Sequence, residues 1–243
     1  MKAVLGLLWL FASAAAADPL SLEPVQSWVD SFKRGAAIPV EGRFHPVQSE
    51  SDPEPRYYAF EPERAREPAA LRYRMAPAPQ FELGRRKYPV EAMASAWGFA
   101  VGAQAWDWDG IRVYRLALRK RRYTCLEGSF AGLGQSGSMA LEAAVLVLED
   151  GRAPERLYFA GFGATCRMVG DVTGDGRLGF VHLQRYDGGE SARASVNVVD
   201  GRGRVQTVRA YTLTGVHSDN AYSIRVEPAP ASERPARVRR FAR

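Results

Sequence analysis

The residues with the clearest chemical potential stand close together at Asp171, Thr173 and Asp175, followed by Gly176. Each of the first three carries a side-chain oxygen, and a spacing of two lets alternate side chains point to one side of the chain. Hard cations such as calcium bind six to eight oxygen atoms, and the backbone carbonyl of Arg177 can add one more. The spacing predicts either a calcium loop or a tight turn whose carboxylates accept hydrogen bonds from backbone amides.

This segment resembles the FG-GAP (VCBS-like) repeat of β-propeller proteins. The resemblance rests on Phe162-Gly163 and on the run Gly170–Val181, that is, on residues 162–181 of a 243-residue chain. In that family a Phe-Gly pair precedes a calcium loop of the form D-x-[DN]-x-D-G-x-x-D, which leads into a strand. The resemblance implies a propeller-like fold, a role in adhesion, ligand binding or structural support, and calcium as a cofactor. The metal ligands that it implies are Asp171, Thr173, Asp175 and Arg177.

Two features depart from the family pattern. The ninth loop position, a carboxylate in the family, is Gly179, and only Trp106–Ile111 resembles a second, worn copy. A closed propeller needs at least about four blades of four strands, which is more chain than residues 106–226 supply. A helix–loop–helix calcium site is also disfavoured, because its twelfth position is His182 and the flanking residues have strand patterns. We therefore expect a solitary or degenerate repeat inside an antiparallel meander.

The second half of the chain has the pattern of a β domain, predicted over residues 106–228. Short apolar or alternating runs are separated by Gly-rich turns, with no helical crossover between them. The runs that predict strands are Ile111–Leu116, Ala143–Leu148, Arg156–Ala160, Ala194–Val199 and Val205–Leu213. The expected fold class is mostly β, either an antiparallel β-meander or sandwich or a partial propeller-like sheet.

One amphipathic helix is predicted near the start of the mature chain, within residues 18–35. Val25, Trp28, Val29 and Phe32 form one apolar stripe, Ser21 can cap the first turn, and a glycine follows the last.

An irregular, proline-rich arm is predicted for residues 36–105. Nine of the fifteen prolines lie between Pro39 and Pro89, and proline is confined to edge strands and strand ends. Arg56–Phe60 and Leu71–Met75 nevertheless have the composition of short strands. A small independent domain is the alternative for this region.

The first seventeen residues have the organisation of a secretory signal peptide. Lys2 precedes an apolar run, Ala3–Ala12, and Ala15–Ala17 offers small residues for cleavage before Asp18. The apolar run is shorter than the roughly 20 residues that cross a bilayer, so no membrane span is expected. The sequence predicts a secreted or periplasmic protein.

The two cysteines, Cys125 and Cys166, predict one disulfide, because an even pair in an exported chain is usually oxidised. Two buried thiols are the alternative. The three histidines, His45, His182 and His217, are scattered and offer no zinc spacing.

The net charge of +6 is compatible with an anionic partner. Five arginines and one glutamate lie in Ala231–Arg243, within a basic C-terminal tail predicted at residues 229–243. The tail predicts either a solvated terminus or a contact with an acidic polymer, and we expect no nucleic-acid partner.

No catalytic residue is assigned from the sequence. His217-Ser218-Asp219 is a run of triad residue types, but adjacency in sequence says nothing about triad geometry. Trp97, Trp106 and Trp108 could line a sugar-binding surface or belong to an aromatic core. The prediction is an exported, non-enzymatic binding or envelope-support module with a protein or polysaccharide partner. A small exported hydrolase on a β scaffold is the alternative.

Overall fold

Three antiparallel sheets of five strands each build the described part of the chain. The computed structural model describes residues 20–49, 52–63, 71–75, 78–90, 106, 108–131, 141–149, 156–185, 190–200, 205–218 and 221–229. This arrangement confirms the mostly β, antiparallel fold with one N-terminal helix. The predicted signal peptide lies outside the described residues, as does the tail beyond residue 229.

The helix, α1 (Leu22–Phe32), packs through its apolar stripe as predicted. Val25 and Val29 are completely buried in the larger hydrophobic core, and the Trp28 ring meets the Tyr211 ring edge-on with centroids 5.3 Å apart. Eleven residues of helix form only about three turns, so α1 depends on this packing for its stability. In the described chain, no helix is long and apolar enough for a membrane span.

The start of α1 differs from the prediction in one detail. Ser21 occupies the cap position, but its side chain makes no capping hydrogen bond. Its backbone N–H instead donates to the Tyr222 hydroxyl at 2.9 Å, a contact across 201 positions of sequence.

A short strand, β1 (Ala37–Pro39), leads into the first sheet, a meander whose strands neighbour one another in chain order. Its strands are β2 (Gly42–Ser49), β3 (Asp52–Pro62), β4 (Leu71–Arg74), β5 (Gln80–Leu83) and β6 (Arg86–Pro89). The described part of segment 36–105 is thus a regular sheet, where the sequence suggested an irregular arm with short strands. Pro46 lies on the edge strand, and Pro62 and Pro89 end their strands. Pro53 and Pro55 lie near the start of β3, before the stretch from Tyr57 to Ala59 that pairs with β4.

The middle sheet takes β1 as its edge strand and continues in chain order. Its other strands are β7 (Arg112–Leu118), β8 (Arg121–Ala131), β9 (Leu141–Glu149) and β10 (Arg156–Gly161). Successive side chains of a strand point to opposite faces, so Val147 joins the core shared with the third sheet and Leu146 the core shared with the first. The middle sheet is therefore the central layer.

The third sheet is again a meander, and the loop that contains Asp171 joins its first two strands. Its strands are β11 (Val169–Gly170), β12 (Gly179–Arg185), β13 (Ser191–Val199), β14 (Val205–Ser218) and β15 (Ala221–Pro228). Phe180 of β12 stacks on Phe159 of β10 with ring centroids 4.6 Å apart, which joins this sheet to the middle one.

Candidate functional site

The loop between β11 and β12 is anchored to the end of α1 through the backbone. Arg34 and Asp171 exchange two N–H···O=C hydrogen bonds, each 2.9 Å long, as in an isolated antiparallel bridge. The Arg34 guanidinium carbon lies 3.8 Å from the point where a Cβ of Gly174 would stand. The helix end therefore places a cationic side chain beside the loop.

The Asp171 carboxylate organises the loop from inside. Only 5% of this residue is exposed, and its oxygens accept backbone N–H bonds from Gly174 at 2.7 Å, Gly176 at 2.8 Å and Thr173 at 3.3 Å. Hydrogen bonds to a carboxylate are stronger than those between neutral groups. Gly174 and Gly176 have φ of +79° and +81°, values that L side chains rarely adopt. The loop is a turn folded around a buried acid.

The second acid of the loop, Asp175, accepts hydrogen bonds from Arg177. Its Oδ1 accepts the Arg177 backbone N–H at 3.0 Å, and its Oδ2 accepts the Arg177 Nε–H at 2.7 Å. The Arg177 Nη2 lies 2.6 Å from the same Oδ2. These bonds, the side-chain one first, lower the pKa of Asp175 to about 2.

The structure places the four predicted metal ligands, Asp171, Thr173, Asp175 and Arg177, in one loop. The carboxylate oxygens of Asp171 and Asp175 accept N–H bonds there, and the Arg177 guanidinium pairs with Asp175 Oδ2. Among the described residues no group of three or more His, Cys, Asp or Glu could hold a metal ion. Calcium stays a prediction, and the geometry supports the hydrogen-bonded turn.

Steric crowding accounts for the glycine at the ninth loop position. A Cβ on Gly179 would stand 2.5 Å from Val172 Cγ2 and 2.6 Å from the Asn197 carbonyl oxygen. Gly179 pairs with Val198 as the first residue of β12. A carboxylate at this position would therefore have to displace the sheet.

A hairpin of the middle sheet closes over the loop from the other side. Arg119, in the turn between β7 and β8, has φ of +53° and is the only non-glycine residue with positive φ in the described ranges. Left-handed backbone costs an L residue about 1–2 kcal/mol, so the side chain must compensate. It donates a hydrogen bond to the Asp175 backbone carbonyl, and a Cβ on Gly176 would collide with its guanidinium.

Between this hairpin and the loop lies a concavity of about 390 Å³, which we name the basic pocket. Its rim carries four exposed cations: Arg119, Lys120, Arg121 and Arg177. Its floor consists of buried apolar or aromatic side chains: Leu118, Tyr123, Leu178 and Val199. Arg34 stands beside it, over Gly174.

Sequence reasoning missed the basic pocket. Its signal was the run of four consecutive cations, Arg119–Arg122, placed between two strand patterns. The contribution of Arg177 could not be seen in the sequence, because it lies beside the hairpin only in the folded chain.

A larger concavity of about 660 Å³ lies between β2 and the start of β7, and Asp109 is one of its lining residues. On its wall the Tyr114 hydroxyl donates to Glu127 at 2.8 Å, and burial and this bond raise the pKa of Tyr114 to about 12. Trp106 is 1% exposed and belongs to the core below the first sheet, which fits the core interpretation of this tryptophan. Trp97 lies outside the described residues.

The predicted disulfide is confirmed. Cys125 on β8 is bonded to Cys166, with the two Cα atoms 6.0 Å apart. Glu127 supports the bridge, because its Oε2 accepts the Cys166 N–H at 2.8 Å. The bridge fixes a short helical turn, Cys166–Met168, just before β11 and the Asp171 loop.

The histidine nearest the loop is a structural residue. His182 Nε2 lies 3.2 Å from the Ala160 carbonyl oxygen, and burial lowers the pKa of this histidine. It does not line either of the two concavities above. The His217 side chain lies outside the described part, as does Asp219.

No family model, curated protein or solved structure matches this chain. The FG-GAP resemblance therefore stays a prediction that rests on residues 162–181 alone. What the site does has to be argued from its geometry.

Proposed function

We propose that this chain is an exported, non-enzymatic module that binds a macromolecular partner through the surface around the Asp171 loop. The observation that carries the proposal is the internal use of the loop's acids. Asp171 holds three backbone amides and Asp175 holds Arg177, so the loop acts as a rigid support. What it supports is a set of exposed cations next to an open concavity.

Rigid support favours binding because a preformed surface loses little conformational freedom when a partner is bound. The loop is tied to α1 by two backbone bonds, to the β7–β8 hairpin by Arg119, and to β8 by the nearby disulfide. These ties come from two separate parts of the chain, the end of α1 and the β7–β8 hairpin.

Export is the second part of the proposal. The signal-peptide pattern at residues 1–17 supports it, and a disulfide and the lack of a spanning helix in the described chain are compatible with it. Expression of the full chain in a secreting host, followed by intact mass measurement, tests it. We expect a mature protein that begins at Asp18 and contains an oxidised Cys125–Cys166 pair; recovery of the uncleaved, reduced chain in the cytoplasm would refute export.

A binding and turnover assay on a common set of polymers separates the module from the hydrolase alternative. The oxidised protein is incubated with immobilised acidic, neutral and basic polysaccharides and with immobilised proteins, and both retention and released fragments are measured. We expect retention on one class of polymer without fragments. Fragment release that depends on the protein would establish the hydrolase, and the lack of retention on every polymer would overturn the binding function.

A further inference from the structure

We propose that the basic pocket binds the carboxylate-bearing sugars of an acidic polysaccharide. This inference rests on the proposed binding function and names its ligand class. It assigns the cations of the rim to the sugar carboxylates and the apolar floor to the face of the sugar ring.

Charge accounting at the rim supports an anionic ligand. Asp175 pairs with Arg177, Glu149 lies 3.6 Å from Arg121, and the carboxylates of Asp171 and, more weakly, Asp200 add negative charge near Arg177. Arg119 and Lys120 line the pocket and form no ion pair with any residue that the structure describes. These two neighbouring cations repel each other, and an anion relieves that repulsion.

The geometry of Arg119 supports a fixed position for that anion. Its backbone adopts a left-handed conformation, and its side chain is held by the Asp175 carbonyl. A guanidinium has five N–H donors in a planar fork, so one bond to the loop leaves donors for a carboxylate. The cation is therefore placed before the ligand arrives.

The floor of the basic pocket supports a sugar in preference to a nucleotide. Most of the surface that lines the basic pocket is apolar, which suits the C–H face of a pyranose ring. Single-stranded nucleic acid is bound on exposed aromatic platforms, and among the described residues that line the pocket the single aromatic side chain, Tyr123, is buried. The volume of about 390 Å³ lies in the range of small-molecule sites, about 300–1,000 Å³, and suits one or two sugar units.

Titration calorimetry with polygalacturonate oligomers and with neutral galactan oligomers of the same length tests the inference. The variants are Lys120→Glu in the β7–β8 turn and, as a matched control, Arg85→Glu in the β5–β6 turn, both at exposed positions. We expect wild type and Arg85→Glu to bind polygalacturonate alike and Lys120→Glu to bind about tenfold more weakly. The salt dependence of binding should also fall in Lys120→Glu.

Arg119→Ala is a second variant, with its thermal melt as a check on folding, because it removes both a pocket cation and a bond to the loop. The inference is overturned if Lys120→Glu and Arg85→Glu lose equal affinity for polygalacturonate. It is also overturned if wild type binds neutral galactan, dextran sulfate or single-stranded DNA as tightly as polygalacturonate. If the polymer set yields a partner whose affinity Lys120→Glu does not change, the binding function stands and the basic pocket is refuted as its site.

Discussion

At the scale of residues, the Asp171 carboxylate sets the shape of the loop. The residue types and their spacing in the sequence predicted either a metal loop or a hydrogen-bonded turn. The choice between them depends on where the backbone N–H groups point, which is a property of the folded loop. The buried acid with three amide donors supports the turn interpretation, and calcium remains a prediction.

Replacement of Asp171 by alanine should destabilise the protein by about 2 kcal/mol, because three backbone amides of the loop lose a charged acceptor. Asp171→Asn keeps an acceptor for Gly174 but sets an amide donor against Gly176, so we expect an intermediate loss. Denaturant unfolding measures both, with Thr173→Ala as the control in the same loop. Wild-type stability of Asp171→Ala would contradict the role of the carboxylate.

Melting temperatures of wild type and of Gly179→Asp test whether the Asp171 loop binds calcium. Any ligand that prefers the folded state must raise the melting temperature. In wild type we expect the same melting temperature in millimolar calcium and in chelator, because the loop carboxylates already accept N–H bonds. Gly179→Asp restores the family carboxylate but should lower the melting temperature through its clash with Val172. A calcium-dependent rise in wild type would contradict this expectation and support calcium binding.

His182 should make stability depend on pH. Burial lowers its pKa in the folded state below the unfolded value of about 6.5, so the unfolded chain binds the proton more readily. The contribution of His182 to stability is complete above that unfolded value and is lost as the pH falls toward the folded pKa. Unfolding free energies measured between pH 8 and pH 5, a range of about three units around the histidine pKa, should fall less steeply in His182→Gln than in wild type. The same substitution at the partly exposed His45 is the control, and an equal change in slope there would contradict the assignment.

At the scale of elements, strands could be predicted where apolar and polar residues alternate or where apolar residues are continuous. Burial of one face of a strand produces the first pattern, and burial of both faces produces the second. The segments predicted as strands from Ile111 onward coincide with β7, β9, β10, β13 and β14. The helix could be predicted from its apolar stripe of Val25, Trp28, Val29 and Phe32. The first sheet was obscured by its prolines, because proline content alone does not show whether a proline lies at a strand end or an edge.

The disulfide element should control the mobility of the loop. Replacement of both Cys125 and Cys166 by alanine removes a covalent tie whose loop-closure contribution is about 4 kcal/mol, and the loss should be somewhat smaller in practice. Because the bridge lies just before β11, amide exchange at Gly174 and Gly176 should accelerate more than exchange in the first sheet. Uniform acceleration in all three sheets would show that the bridge stabilises the whole fold without a special effect on the loop.

At the scale of the whole molecule, α1 joins distant parts of the chain. Its apolar face lies in the core of the third sheet, while the next segment, β1, completes the middle sheet. Sequence could predict the helix but not its position, because the partners of α1 follow it by well over a hundred residues. The same holds for the basic pocket, which gathers Arg119 and Arg177 from different sheets.

Val29→Ala in α1 should destabilise the protein by about 2 kcal/mol, because it leaves a cavity at a fully buried position. Ser27→Ala, on the exposed side of the same helix, should be nearly neutral and serves as the control. Thermal melts followed by Trp fluorescence report the change. Equal melting temperatures for Val29→Ala and wild type would contradict the docking of α1 on the third sheet.

The hydrogen bond from Ser21 to Tyr222 has a consequence for the order of events during synthesis. The helix is made first, but its partner strand is 201 positions further along the chain. At a synthesis rate of about 5–20 residues per second, the helix waits roughly 10–40 seconds before its docking surface exists. The N-terminal segment therefore cannot complete this contact until β15 has been made, after all the other described strands have been synthesised.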